Sequence, residues 1–522
     1  MTGEKVEDVL IIGAGPTGLS LAITLRQHGI PVRIVDRAMQ ASSVSKALAV
    51  WSASLEALQG MNVIDEFLRH GKRLNALCIG DGSRQLARME VGDGIDSPFP
   101  FPLLLPQSET ERLLGARLAA LGVTVERGVE LTGLAQDESG VTATLAHGGD
   151  LSETVLCRYL VGCDGARSAV RQTLDIPFDG YTEPQTFLLG DVRIDGGGLD
   201  RNNIYLWWGR GGTVALFPFE GDTWRLFAMR EGDETGNTNP ALEELQGLAD
   251  RHGPRGMRLR DPSWLSVFRV NERVVARYRV GRCFLAGAAA HIHSPAGGQG
   301  MNTGIQDAVN LGWKLAHALK GIGDPDLLLD SYEPERRAVA LNVVKAAGRK
   351  QHLAFSSGTA TRILKDIAVS VLGNLPVVQK QLQIELSETE IVYHDGPLVG
   401  LGAPPRHPNR TEVGARARDA MVTLAGETQP LWPKLSATRH TLLIFEDSGS
   451  PIDIASVEDC AYDRLTILRP AAESDHQRQV RQRYHQRGPG WLLVRPDRVV
   501  AARGNGRDLT ALNRYLDRVV RP

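Results

Sequence analysis

The sequence predicts an α/β protein of several domains, and three observations predict it. A short apolar run, Val9 to Ile12, is followed by a glycine-rich turn, a helical stretch and a second apolar run. Between Thr186 and Arg230 the texture changes to brief alternating runs. After Arg282 an apolar run, a second glycine-rich loop and a long helical pattern return. The 522 residues suffice for roughly two to four domains, and 42% apolar content provides each with a core.

The elements follow in order. Val9 to Ile12, then Gly13-x-Gly15-x-x-Gly18, then Leu19 to His28, then Val32 to Val35 closing on Asp36 read as strand, turn, helix and strand, the start of a parallel sheet with a right-handed crossover. Leu113 to Leu121 reads as a helix, and Val123 to Glu126 and Val141 to Leu145 read as strands. Ile204 to Trp208, Thr213 to Phe219 and Trp224 to Met229 alternate between turns, as strands of an antiparallel sheet do. Cys283 to Ala286 is again a buried strand. Ile305, Ala308, Gly312, Leu315 and Leu319 then recur at helical spacing, so the chain re-enters its first domain. Residues 336–390 carry long helical patterns, and Gly396 to Asn409, rich in glycine and proline, marks a boundary. Beyond it the strands Leu442 to Phe445, Leu465 to Leu468 and Trp491 to Val494 alternate with the helices Ser474 to His485 and Leu509 to Val520. The expected division is 1–175 for the first part of a dinucleotide-binding domain and 176–275 for a β-sheet domain. Residues 276–395 form the return with its helical segment, and 396–522 a small α/β domain.

Composition excludes several partners. With 59 Lys and Arg against 61 Asp and Glu, the chain lacks the basic field of a phosphate-backbone binder, so nucleic acid is not expected. The N-terminus carries Glu4, Glu7 and Asp8 where a signal peptide needs basic residues, which predicts a cytoplasmic protein. The uncharged stretch Val9 to Leu25 is shorter than a membrane span of about 20 residues and is broken by glycines and a proline, so no membrane contact is expected. Cys78, Cys157, Cys163, Cys283 and Cys460 contain no C-x-x-C pair and imply neither a disulfide framework nor a metal site.

The first glycine motif carries chemistry because of its context. Gly13 permits the tight turn, Gly15 lets a pyrophosphate approach the backbone, and Gly18 lets helix and strand pack closely, while the helix N-terminus offers free N–H groups and positive dipole. Asp36, with Arg37 beside it at the end of the next strand, is placed for a ribose hydroxyl. This fingerprint leaves FAD and NAD undistinguished.

Three further segments resemble the aromatic hydroxylase family of flavin monooxygenases, especially its three-domain phenol and polyketide branch. They are Leu105-Pro-Gln107-Ser-Glu-Thr-Glu111, then Val161-Gly-Cys-Asp164-Gly165-Ala-Arg167-Ser168, and the long run from Phe284 through Gly287, His291, Pro295, Gly297, Gly298, Gly300 and Asn302 to Asn310. The resemblance implies a Rossmann-like FAD-binding domain, an antiparallel-sheet substrate domain and a C-terminal thioredoxin-like domain, the last without C-x-x-C. It implies FAD as cofactor and NADPH or NADH as transient reductant. Gln107 and Asp164 would contact FAD, Asp164 also the nicotinamide cofactor. The implied activity is hydroxylation of a polycyclic phenol or polyketide by O2 through a C4a-hydroperoxyflavin, in a monomer or homodimer. Two departures stand out. Gly287-Ala288-Ala289-Ala290-His291 replaces the family's Gly-Asp-Ala-Ala-His, so the carboxylate that accepts bonds from the ribityl chain is absent and FAD affinity is expected to fall. Lys46 stands where the family has Arg, keeping the charge but not the planar fork.

Glycines and a proline ahead of a helix let backbone N–H groups face a flavin edge, and the positive helix end favours the negative charge of a reduced ring. Pro295 to Asn302, including Gly298, Gly300 and Met301, is therefore the expected loop at the reactive ring. Tyr205 and Trp207, on one face of a strand, with Trp51, Phe217 and Met229, either line the substrate cavity or pack in the core. His291 and His293 read as hydrogen-bonded scaffold, and Arg230 as solvated. Ala47 to Ser54 contains no acid, so no catalytic base is assigned. Oxygen insertion beside a ketone on the same scaffold, and a flavin-poor, redox-silent binding protein, remain the alternative readings.

Overall fold

Val9 to Ile12 are buried and lie between two parallel neighbours at the centre of a sheet, where an uninterrupted apolar run belongs. The structure, a computed structural model, describes residues 6–521 apart from 43–44, 46, 83, 93, 149–150, 210–211, 231–238, 296, 356–368, 372, 395, 400, 402–412, 448–450, 461–463 and 472–474. Strand β1 (Val6–Ile12) leads through α1 (Pro16–Gln27) to β2 (Val32–Asp36). Pro16 occupies the start of α1, where its missing N–H would have no intrahelical partner in any case. Helix α2 (Ser52–Gly60), the hairpin β3 (Ala76–Asp81) and β4 (Arg84–Glu90), and α3 (Gln107–Ala120) follow. The long β5 (Ser152–Gly162) lies parallel to β1 and is followed by the short α4 (Ala169–Thr173). The strand expected at Val123 to Glu126 is only Glu126–Arg127, because the edge of β2 reaches these two residues alone.

The second sheet takes β6 (Phe178–Gly196), β7 (Asn203–Gly209), β8 (Gly212–Pro218) and β9 (Thr223–Met229), then, after α5 (Leu242–His252), β10 (Met257–Val275). Its eight strands run from His291–Ile292 through β10, β6, β9, β8, β7 and β3 to β4. Every pairing is antiparallel except β7 with β3, which is parallel from Asn203 against Ala76 to Trp208 against Asp81. The sheet is therefore mixed at this seam, and its last two strands come from residues 76–90. Leu245, Leu248 and Ala249 of α5 recur at helical spacing and pack on Trp224, Leu226 and Ala228 of β9, covering one face of the sheet. The other face carries Arg225, Phe227 and Met229.

The chain returns to the first sheet at β11 (Cys283–Leu285), parallel to β5, and continues in α6 (Gly300–Leu319), α7 (Tyr332–Phe355) and α8 (Pro376–Ser387). The last part contains β12 (His440–Phe445), β13 (Leu465–Leu468), α9 (Asp475–Arg483), β14 (Gly490–Val494), β15 (Val500–Asn505) and α10 (Thr510–Val519). Its sheet order is β13-β12-β14-β15, with the first pair parallel and the rest antiparallel. Of the predicted boundary loop, residues 402–409 lie outside the described residues.

A buried charge cluster and a histidine cluster join this part to the first. Arg495 donates to both oxygens of Glu335 on α7 at 2.7 and 2.8 Å, and Lys314 of α6 donates to the same carboxylate at 2.7 Å. Burial would raise Glu335, but Arg495 and Lys314 outweigh it and hold the carboxyl down to about 2. The rings of His28, after α1, and His317 of α6 lie 5.9 Å apart, and His317 lies 5.7 Å from His440 at the start of β12. No helix among the described residues is long and apolar enough to cross a membrane.

Candidate active site

The glycine turn at the end of β1 is shaped by its neighbours. Gly13 has φ +103°, and a β-carbon there would lie 2.5 Å from the Cys163 carbonyl oxygen. At Gly18 a β-carbon would lie 1.9 Å from the Gly13 carbonyl oxygen, so β1 and α1 meet with no room for a side chain. At Gly15 a β-carbon would meet nothing within 4 Å: this edge of the turn is open. Asp36 braces the turn, its Oδ2 accepting from Ala14 N at 2.7 Å and its Oδ1 from Ala38 N at 2.8 Å, with Arg127 Nη1 at 3.5 Å. Arg37 is exposed at the rim, 4.0 Å from Glu130. Lys46 lies outside the described residues.

Gln107 and Asp164 are the two polar groups that the family resemblance assigns to the cofactor. Gln107 opens α3, accepts from Ala47 N at 3.3 Å and donates to Glu111 Oε1 at 2.8 Å. Burial raises the Glu111 carboxyl above its usual range. Asp164 Oδ2 accepts from Ala169 N at 2.7 Å and Val170 N at 3.2 Å, fixing the start of α4, whereas its buried Oδ1 has no hydrogen-bond partner among the described residues. Burial raises this carboxyl too. An open backbone edge beside an unsatisfied acceptor fits a diphosphate nucleotide that carries hydroxyl groups. Ala288 sits exposed in the 3₁₀ turn Gly287–Ala289.

The second glycine loop is tied down from several sides. Asn302, fully buried, accepts from Trp51 N at 2.8 Å and donates to Ala49 O at 2.9 Å and Gly298 O at 2.7 Å. Trp51 Nε1 donates to Gly297 O at 2.8 Å, so this indole straps the loop. Gly300 and Met301 open α6, whose first N–H groups have no intrahelical partner. Pro295 is exposed at the start of the turn. Beneath the loop, Asp307 accepts from Gly287 N at 3.0 Å, from His291 Nε2 at 2.8 Å and from Arg336 Nε at 2.7 Å. Burial pushes Asp307 up, yet Arg336 and His291 outweigh it and keep the carboxyl low. His291 is thus scaffold, and His293 Nδ1 contacts Ser294 O at 2.8 Å. Sequence reasoning did not single out Asp307, Arg336 or Glu111. Asp307 lay inside the quoted motif, but nothing local marks Arg336, which arrives from α7.

The aromatic candidates separate onto two faces of the second sheet. Tyr205 pairs with Leu216 and Trp207 with Val214, and all four belong to the core under α5. Tyr205 and Trp207 are therefore core residues, not neighbours of Phe217 and Met229, because cross-strand partners share a face. Met229 pairs with Phe187 and packs with Phe227 and Phe268 on the opposite face. Phe217 joins Leu48 and Ala49 in one apolar cluster, and a β-carbon at Gly298 would lie 3.3 Å from Ala49 Cβ, so this face adjoins the loop. Arg225, on the same face, is buried and gives two 2.8 Å bonds to Asp191. Arg230, expected in solvent, is buried and donates to Glu244 of α5 at 2.6 and 3.0 Å.

A family model described as an FAD binding domain matches residues 7–347. The chain is 35% identical to the 6-methylpretetramide 4-monooxygenase of Streptomyces rimosus, over 97% of its own length and 92% of the other. It is 34% identical to the 12-dehydrotetracycline 5-monooxygenase/anhydrotetracycline 6-monooxygenase of Streptomyces rimosus subsp. rimosus, over 85% and 92%. Among solved structures it resembles the anhydrotetracycline hydroxylase from Streptomyces rimosus with TM-score 0.79, 28% identity and coverage of 99% and 100%. It also resembles aklavinone-11 hydroxylase, solved with FAD and aklavinone, with TM-score 0.81, 26% identity and coverage of 100% of both chains. A family match over more than half the chain, and relatives matched nearly end to end, make this protein a member of the FAD-dependent aromatic hydroxylases.

Proposed function

We propose that this monooxygenase hydroxylates a polycyclic aromatic substrate of the polyketide class, held between the Phe217, Phe227 and Met229 face of the second sheet and the loop Pro295 to Asn302. The observation that carries the reading is the adjacency of that face to the loop through Ala49. Stacked Phe187 and Phe227, with centroids 5.0 Å apart, extend the apolar face beyond what a single small ring needs. The names of the relatives, whose substrates are 6-methylpretetramide, 12-dehydrotetracycline, anhydrotetracycline and aklavinone, support the same class.

Bound FAD supplies the redox chemistry, taking reducing equivalents from NAD(P)H and activating O2. The chain's own residues bind, orient and exclude water. Gly15 leaves the approach to the backbone clear, Asp36 fixes the turn, and Asp164 Oδ1 and Gln107 would hold polar groups of the cofactor. The N-terminus of α6 would offer its positive end to a bound ring and favour the negative charge of a reduced state. Trp51 and Asn302 hold the loop in place. The thioredoxin-like reading of 396–522 assigns that part to packing or to contact between copies; its small four-stranded sheet and the Arg495 bridge to Glu335 support the packing role. A cytoplasmic location is part of the same proposal.

The test is NAD(P)H oxidation by the FAD-loaded protein across phenols and polyketide-like aromatics, with product mass spectrometry and NMR. Oxidation stimulated by polycyclic phenols, with one oxygen added to a ring carbon, is the expected result. An oxygen placed beside a ketone would instead establish oxygen insertion, and stimulation by simple phenols alone would overturn the substrate class.

A further inference from the structure

Glu388 follows α8 and is buried with a left-handed backbone, φ +58°, which residues other than glycine rarely adopt. Its hydrogen-bond partners are neutral. Thr303 Oγ1 donates to Oε1 at 3.1 Å and Gln306 Nε2 donates to Oε2, both from α6. Arg336 of α7 acts on it from nearby but uses Nε on Asp307, Nη1 on the Tyr393 hydroxyl and Nη2 on Thr303 O. Glu388 also lines a cavity of about 90 Å³ between the first and last parts of the chain, enough for several water molecules. The other charged groups facing this cavity are engaged: Glu56 of α2 with Arg416 at 2.8 Å, Asp497 with Arg495, and Arg498 with Glu56 O at 3.0 Å. Burial pushes the Glu388 carboxyl up to about 7, against the pull of Arg336 and the two α6 hydrogen bonds and with a small push from Asp307.

Thr303 connects this carboxyl to the loop. Its hydroxyl lies 3.1 Å from Gln299 O as well as 3.1 Å from Glu388 Oε1, and it has one proton to give. When Glu388 is a carboxylate, Thr303 donates to it. When Glu388 is protonated, its own O–H can donate to Thr303 Oγ1, and the threonine proton turns to the Gln299 carbonyl at the end of the loop. Gln299 is also bound to the α8 end, its Nε2 donating to Glu385 O at 3.2 Å.

We propose that Glu388 is a positioning residue that exchanges protons with the interdomain cavity and, through Thr303 and the Gln299 carbonyl, couples its protonation to cofactor binding at the Pro295 to Asn302 loop. The proposal rests on the placement of that loop at the flavin. FAD is anionic and the N-terminus of α6 attracts it; a carboxylate added at that helix end weakens the attraction.

The experiment is titration of the flavin-stripped full-length chain with oxidised FAD, read by fluorescence quenching, from about pH 6 to about pH 8.5. The dissociation constant of the parent should rise with pH through the neutral range by about threefold to tenfold, tenfold corresponding to one unit of displacement of the coupled group. Glu388→Gln, which keeps shape and hydrogen bonding, should bind with a nearly pH-independent constant close to the parent's acid-side value. Thr303→Val, of equal size, leaves the carboxyl and its charge in place and should lower the slope by the share that the hydroxyl relays to the Gln299 carbonyl. A merely structural role for Glu388 would shift all constants and keep the slope. The same slope in either folded variant, or a flat parent profile with tight binding, overturns the coupling alone. Absence of FAD binding at every pH overturns the placement of the cofactor as well.

Discussion

A β-carbon at Gly18 would collide with the backbone of Gly13, whereas one at Gly15 would point into open space. The two positions should therefore fail differently. Gly15→Val is expected to fold, since the residue has φ −76°, and to lose FAD because the side chain occupies the approach to the backbone. Near-normal flavin content in the purified variant would refute the cradle. Gly18→Ala is expected to lower the melting temperature with or without FAD, because a backbone carbonyl must move. Ala288 is the reverse case, an exposed methyl where the family resemblance implies a carboxylate. Ala288→Asp should gain charge-assisted bonds to ribityl hydroxyls and tighten FAD about tenfold to a hundredfold, matching about 1.5 to 3 kcal/mol. Equal or weaker binding in a titration would mean that the ribityl chain runs elsewhere. These residues were legible in the sequence because turn chemistry is local. At Asp164 the sequence offered a motif, and only the fold shows one oxygen spent on α4 and the other left over among the described residues.

At the scale of elements, α6 is held by charges rather than by its own caps. Asp307 joins the Gly287 turn, His291 and Arg336, all buried. Asp307→Asn removes the countercharge of a buried guanidinium and should cost about 3 to 5 kcal/mol. The expected reading is a lower urea midpoint in the absence of FAD, and an unchanged midpoint would show that Tyr393 and Thr303 O satisfy Arg336 unaided. Sequence pattern found α6 and the strands beside it, but not this clamp, because Arg336 lies on a later helix. The same limit explains the aromatic candidates. Alternation shows which residues of a strand share a face, so Tyr205 and Trp207 were rightly grouped; it does not show which face α5 covers. Register settles that, and it pairs Tyr205 with Leu216, placing it away from Phe217.

For the whole molecule, docking of the last part carries a pH dependence. Burial lowers His28 to about 3 and His317 to about 4, and lowers His440 as well. These groups stay neutral when folded, while in the unfolded chain they take up protons below about pH 6.5, so stability is lost as pH falls from there toward about 4, by about 2 kcal/mol per histidine at about pH 5. Glu388 works in the opposite sense, since its raised value means that protonation between about 7 and the usual carboxylate range favours the folded state. Removing this opposing contribution should make the urea midpoint fall more steeply on acidification in Glu388→Gln than in the parent. Equal slopes for the parent and Glu388→Gln between about pH 6.5 and about pH 5 would exclude this opposing role for Glu388. The parallel seam between β7 and β3 has a consequence of another kind, for synthesis. Residues 76–90 leave the ribosome as a hairpin long before β7 exists, and a lone two-stranded hairpin is marginal in water. The nascent chain must carry that unfinished edge until residue 209 has emerged, so protease protection of residues 76–90 on stalled ribosomes should arrive late, in step with β7 rather than with the hairpin itself.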